Sequence, residues 1–350
     1  MKCKLREKIA IKHPIFRYFV VGIMNCRSKR FREGVIALAN EPNVFYFRNM
    51  GNLNSDKNIC ILGTDDNGIT QGGLLSELRN LLVRFAMCEH FNFIPVVEFK
   101  NCLYDEKTII NGTRNPFEYY FCQPQDISVE EAKMSRYVYI SRGIDCLEFG
   151  TLNQQYTIGD AEIKRFGTLY KKYLHLNETT KRYIEEGKKC LFNQGLVLGV
   201  HIRGGDFNKL YDGHPIPVTP EEYFIEIDKL LEKKGYTKIF LATDDTRVLD
   251  KMLIKYGDKL LYFNDTLRTC TDVGIHTLGH EESGVGYRMG LEVLRDLYIL
   301  AETDGLVTGY SGVGVFARII RTTMEKEYED LVIMDNGICH NGKKFPQRKK

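Results

Sequence analysis

The sequence predicts an α/β protein with parallel sheets, arranged as two Rossmann-like halves. Three observations carry that prediction. The chain has 350 residues, which suits two domains of ordinary size. Apolar, strand-like runs alternate with helical patterns from Asn58 onward. Glycine and proline mark turns throughout, with no linker, repeat or low-complexity block.

The elements follow in order. Asn58–Gly63 reads as a strand. The segment 72–91 reads as a helix, because Leu74, Leu78, Leu81, Leu82 and Phe85 keep the 3.6 period. Phe93–Phe99 is the next strand. Ser128 and Glu131 form a capping-box pattern that opens a short helix. Two helical patterns lie between Gly159 and Cys190, the second with Asn177 as its N-cap.

The second half is cleaner. Leu196–Arg203 is a strand. A helix then starts on Thr219 as N-cap, with Pro220 at its first position, Glu222 closing the box and Gly235 as its stop. Lys238–Thr243 is a strand, a helix follows Thr246, and Lys259–Phe263 is a strand. A helix over 286–302, a strand over 305–310, a helix over 312–325 and a strand over 330–335 complete a Rossmann-like pattern. The boundary between halves is expected at residue 190, and two such domains would enclose a cleft at the C-terminal ends of their strands.

Composition excludes some classes. With 49 basic and 46 acidic residues the net charge is +3, which gives no global argument for nucleic acid. The ten cysteines stand singly, with no CxxC pair and no metal-ligand spacing, and read as reduced thiols, mostly in the core. The best apolar stretch, Ile15–Met24, is short and interrupted by Arg17, so neither a membrane span nor a signal peptide is expected. A cytoplasmic protein follows as the expectation. Its Lys- and Arg-rich ends are solvated tails, or tails able to touch an anionic membrane surface.

Several stretches could carry chemistry. In "LVLGVHIRGGDF" an apolar strand delivers His201 and Arg203 to its end. A guanidinium is a planar, permanent charge that matches phosphate oxygens, and Gly204 and Gly205 would let a ligand come near. A surface pair of Arg203 and Asp206 beside a tight turn fits equally well. "FLATDD" puts Asp244 and Asp245 after a strand, where Asp245 or Thr246 could cap the next helix and the pair could bind a ligand or the Arg203 region. Asp296 lies at the edge of an apolar helix stripe, either solvated or, if buried, in need of a partner such as the two adjacent N–H donors of guanine. "TGYSGVG" runs from a strand through Ser311 and Gly312 into a helix, a ready anion site. Gly72 and Gly73 feed a helix in the first half, for packing or for a ligand. His276, His280, Glu281 and Glu282 fall in a long loop that reads as a lid better than as a zinc site.

Taken together, "GVHIRGGDF", "FLATDD" and "EVLRDLYILAETDGLVTGYSGVGVFARI", in that order, resemble the nucleotide-binding half of GDP-fucose-dependent fucosyltransferases. The likeness is strongest to the α-1,6 and nodulation types and to their O-fucosyltransferase relatives, whose hallmark is H-x-R-x-x-D after a strand. "GGLLSELRNLLVRFAMCEHFNFIPVV" and "NPFEYYF" also resemble segments of that superfamily. The resemblance spans most of residues 60–335. Two positions depart from it: Gly204 stands where the α-1,6 enzymes carry a second arginine, and Phe207 where a lysine follows the motif's aspartate.

The resemblance implies the GT-B fold, with 1–190 on the acceptor side and 191–350 binding the nucleotide sugar. It implies an inverting transferase that moves fucose from GDP-fucose to a glycan hydroxyl with no metal and no further cofactor. Arg203 would grip the β-phosphate, Ser311, Gly312 and the N–H groups behind them would hold the diphosphate, and Asp296 would read guanine. His201 would shape the donor pocket, with Asp244 and Asp245 in support and Gly72 and Gly73 facing it. Asp206 and Asp212 are the candidates for the general base. The alternatives are a GT-B transferase using another nucleotide sugar, and a non-catalytic nucleotide- or glycan-binding protein.

Overall fold

A computed structural model describes residues 45–63, 72–141, 158–189, 195–205, 209–275, 284–340 and 342. They form two compact units. The division is not the expected one at residue 190. The first unit takes in the described residues 45–63, 78–102 and 123–141, whereas 72–77, 103–122 and 158–189 belong with the C-terminal sheet.

The first unit holds a mixed four-stranded sheet. Its strands are β1 (Phe45–Arg48), β2 (Ile59–Gly63), β3 (Ile94–Glu98) and β4 (Val138–Ser141), in the order β1-β4-β2-β3. β2 pairs in parallel with β3 and β4, but β1 runs antiparallel to β4, so this sheet is not wholly parallel as expected. An antiparallel edge strand on a parallel sheet is a common arrangement. Helix α1 (Leu74–His90) connects β2 to β3. The predicted stripe is buried: Leu74, Leu78, Leu81, Leu82 and Phe85 are at most 2% exposed. Ser128 caps α2 (Val129–Lys133) by accepting the Glu131 N–H at 3.1 Å. Val129 and Ala132 of α2 pack with Ile59, Ile61 and Val96 in one core.

The second unit carries α3 (Asp160–Tyr173), α4 (Glu178–Lys189), β5 (Val197–Ile202), α5 (Pro220–Lys234), β6 (Lys238–Thr243), α6 (Thr246–Tyr256), β7 (Leu260–Leu261), α7 (Val285–Glu302), β8 (Gly305–Gly309), α8 (Gly312–Thr323) and β9 (Asp330–Met334). All five strands are parallel, in the order β7-β6-β5-β8-β9. Every residue of β5 is buried, as a central strand covered on both faces must be. Asn177 caps α4 as expected, accepting the Thr180 N–H at 2.9 Å. α3 packs along α8, where a Cβ on Gly167 would come within 1.9 Å of the Thr322 hydroxyl. That contact explains why 158–189 joins the C-terminal unit.

β7 is shorter than the predicted strand. It pairs with β6 only through Leu260 and Leu261. The chain beyond it is drawn off the sheet edge onto α7, because Glu292 accepts the Leu267 N–H at 2.8 Å and Arg295 grips Asp265 at 2.8 and 3.0 Å. None of the described helices is long and apolar enough to cross a membrane.

The capping box of α5 is complete: Thr219 accepts from the Glu222 N–H while Glu222 accepts from the Thr219 N–H at 2.7 Å. Thr219→Ala removes one side of it and should lower unfolding free energy by about 1 kcal/mol, measured by urea titration.

Candidate functional site

In a doubly wound sheet, ligands sit where the strand order reverses, outside the C-terminal ends of the strands. In the second unit that point lies between β5 and β8. His201 is in register with Thr308, so the ends of both strands open on the same place.

Arg203 follows the last residue of β5, with about a quarter of its side chain exposed. Its Nη1 donates to Asp244, just past β6, and Asp244 also accepts the Gly204 N–H at 2.9 Å. Asp245 accepts the Gly205 N–H at 3.3 Å. The two adjacent aspartates thus hold three successive residues of the turn. They also divide their work. Asp245 caps α6, accepting the Arg247 N–H at 2.8 Å, and pairs with the Arg247 guanidinium at 2.6 Å. Burial alone would raise its pKa, but the bonds from Arg247 and Gly205 hold the carboxyl below its usual range.

Each glycine of the turn has its own reason. Gly205 sits at φ +57°, the left-handed region. Gly204 packs flat on Asp245, and a Cβ there would lie 2.3 Å from the Asp245 Cβ. No side chain, arginine included, fits at 204 in this backbone.

His201 is buried, and burial pushes its pKa down to about 4, so it is neutral at physiological pH. Its Nδ1 lies 3.1 Å from the Ser311 hydroxyl and 3.4 Å from that of Thr308. Ser311 is the N-cap of α8 and accepts the Gly314 N–H at 3.0 Å, so one hydroxyl serves both the helix start and Nδ1. At the start of α8 the N–H groups of Gly312 and Val313 lie outside the helix's own ladder, where the helix dipole favours an anion.

A small cavity of about 20 Å³, room for roughly one water, lies among His201, Arg203, Pro215, Tyr223, Tyr310 and Ser311. The structure therefore brings His201, Arg203, Asp244, Ser311 and Gly312 to one strand mouth. Gly72 and Gly73 open α1, whose Leu74 N–H donates to the Tyr104 hydroxyl at 2.8 Å. They approach this region through Leu75, whose Cβ is 3.5 Å from where a Gly312 Cβ would stand. Asp212 is exposed in the loop between β5 and α5 and does not line the cavity. Asp206 lies outside the described residues, as do His276, His280, Glu281 and Glu282.

Asp296 lies on α7 and does not line the cavity either. It is 7% exposed, and its Oδ1 has no hydrogen-bond partner among the described residues. Burial pushes its pKa up to about 7 against the pull of Arg295 and Arg268. Arg295 stacks on Phe263, 3.7 Å from the ring centroid, and its Nε is 3.9 Å from Asp296. Sequence reasoning found Asp296 but missed these two arginines. The available signal was a second charge, Arg295, placed next to Asp296 on an apolar stripe.

Among the described residues no group of three or more His, Cys, Asp or Glu could hold a metal ion. Among the described cysteines, Cys60, Cys88 and Cys102 are buried, whereas Cys122 and Cys270 are exposed.

No model of a known protein family matches the chain, and no curated protein matches it. Solved structures do. NodZ α-1,6-fucosyltransferase soaked with GDP-fucose is 14% identical over 75% of this chain and 93% of its own, with a TM-score of 0.45. POFUT1 in complex with GDP is 12% identical over 80% of this chain and 99% of its own, with a TM-score of 0.45. A mutant of Arabidopsis thaliana FUT1 in complex with GDP is 10% identical over 88% and 76%, with a TM-score of 0.43.

Gly204→Ala should destabilise the protein by roughly 1–3 kcal/mol, the usual cost of overpacking, with Gly204→Arg worse. Thermal melts of the two variants beside wild type test this; an unchanged melting temperature in both would contradict the close approach of Asp245.

Proposed function

We propose that the chain is an inverting glycosyltransferase of the GT-B type, moving fucose from GDP-fucose to a glycan hydroxyl. The observation that carries this reading is Arg203 at the reversal point of a doubly wound parallel sheet, beside the Ser311-capped start of α8. A permanent cation and a set of helix N–H donors at one strand mouth suit a diphosphate. The order of motifs along the chain supports the choice of a GDP-sugar among diphosphates. The nucleotide sugar is assigned to the C-terminal sheet and the acceptor to the N-terminal half.

The acceptor oxygen attacks the anomeric carbon and forms the new glycosidic bond. The bond from that carbon to the β-phosphate oxygen breaks on the opposite face, and GDP leaves with the electron pair. Arg203 stabilises the charge that grows on that oxygen, which is the work a metal ion does in other transferases. Asp244 fixes the guanidinium in place before the reaction, so little reorganisation is needed as the charge develops. Neutral His201 shapes the pocket without adding charge. The acceptor proton goes to a carboxylate base, Asp206 or Asp212.

Asp296 is the proposed guanine reader, with its unpartnered buried oxygen meeting the adjacent N–H donors of the base. It must be ionised to accept both. With the free carboxyl titrating at about 7, ionisation rises with pH and GDP affinity with it.

Three measurements decide among the readings. Calorimetry should show GDP binding well above UDP; equal affinities would remove the guanine role of Asp296. Transfer from GDP-fucose should persist in EDTA, and Arg203→Ala should reduce turnover by roughly a hundredfold. An absolute metal requirement, or wild-type turnover in that variant, would overturn the assignment. GDP should bind about tenfold tighter at pH 8 than at pH 6 from Asp296 alone, and Asp296→Asn should lose that increment.

A further inference from the structure

Past β9 the chain does not leave the sheet. It turns back across the loop that joins β5 to α5. Tyr310, which lines the cavity, donates to Asp335 at 3.0 Å, and Asp335 also accepts the Gly337 N–H at 2.7 Å. Asn336 donates its amide to the Pro217 carbonyl at 3.2 Å and to Glu222 at 3.1 Å. Gly337 at φ +83° turns the chain, and its carbonyl accepts the Ile216 N–H at 2.9 Å. Ile338 then bridges Pro215 in antiparallel fashion. Cys339 exchanges backbone bonds with both ends of the 213–214 turn, accepting from Gly213 at 2.9 Å and donating to His214 at 2.8 Å.

We propose that Asp335–Cys339 is a strap that positions one wall of the site, and that Asn336 is a positioning residue for the transfer step. The strap is fastened to Tyr310 on one side of the cavity and to Gly213–Pro217 on the other. Asp212 does not line the cavity but adjoins this wall through Gly213, so the strap's bonds hold the backbone next to it. The Asn336 side chain ties the loop to the capping box of α5, through Pro217 on one side and Glu222 on the other. The strap touches the loop and Tyr310, and none of the bonds above involves Arg203, Ser311 or Asp296. Releasing it shifts the loop beside Asp212, the candidate base, and leaves the proposed nucleotide contacts in place. The inference rests on the transferase reading above.

Asn336→Asp keeps the side chain's size and exchanges its donors for a carboxylate facing the Pro217 carbonyl and Glu222. Asn336 is exposed, so the variant should fold. Amide exchange at Gly213 and Ile216 should quicken about fivefold for the loss of one or two bonds. The kcat for transfer from GDP-fucose should fall about tenfold with misplacement of the loop, while the calorimetric Kd for GDP stays unchanged. Gly337→Ala, which forces a side chain into positive φ, should act in the same direction. Unchanged exchange at Gly213 and Ile216 would overturn the strap. Quicker exchange with unchanged kcat, or a GDP affinity that falls in step with kcat, would overturn the positioning role. If the wild-type protein neither binds GDP nor transfers, the reading of the preceding subsection fails; the exchange rates then still uphold or overturn the strap.

Discussion

A guanidinium at the end of a buried strand serves chemistry only if it is held still. Here the hold comes from two consecutive carboxylates. Asp244 takes the side chain of Arg203 and the N–H of Gly204; Asp245 takes the N–H of Gly205 and opens α6. The whole strand mouth depends on this clamp. It ties the turn after β5 to the turn after β6. Arg203 is also balanced by a near neighbour before any anion arrives, which tempers the cost of keeping a partly buried cation.

The opposite wall rests on neutral and dipolar groups. His201, Thr308 and Ser311 share a short hydrogen-bond chain that ends on the α8 backbone. One neutral imidazole and one capped helix start face the clamped cation. The strand mouth therefore joins one cation, already paired with Asp244, to the N–H dipoles of a helix start. Asp296 follows a different rule. Its Oδ1 is buried with no hydrogen-bond partner among the described residues, and desolvation works against its charge while Arg295 and Arg268 support it. A group left in that state is a store of unsatisfied bonding, which is what the proposed guanine contact draws on.

Much of the second unit was legible in the sequence because its central strands β5, β6 and β8 are largely buried and its helices carry clear start and stop residues. Thr219, Pro220, Glu222 and Gly235 define α5 by local chemistry alone, and the structure shows each in its expected place. The edges were harder. β1 and β4 are four residues each, too short for periodicity to register, although the alternation of Tyr and β-branched residues around Val138 was a usable signal. β7 shrank because the pull on its continuation comes from Glu292 and Arg295, far along the chain. The division into units was illegible for the same reason: α3 joins α8 through a close crossing at Gly167 that no local pattern announces. At the candidate site, Arg203, Asp244 and Ser311 were visible as residues after strands. Tyr310, Pro215 and the partners of Asp296 became visible only once the loops were in place.

Gly204 has a consequence for how this sequence could change. Its missing side chain and the side chain of Asp245 occupy the same space. The two positions are therefore coupled: a residue with a Cβ can enter at 204 only if the backbone retreats or position 245 gives up its side chain. Position 245 cannot give it up freely, since it caps α6 and holds Gly205. Substitution at either site alone crosses a valley of lower stability. A chain that begins with this clamp is kept away from a double-arginine turn by the order in which mutations would have to occur, independently of which turn would serve the chemistry better.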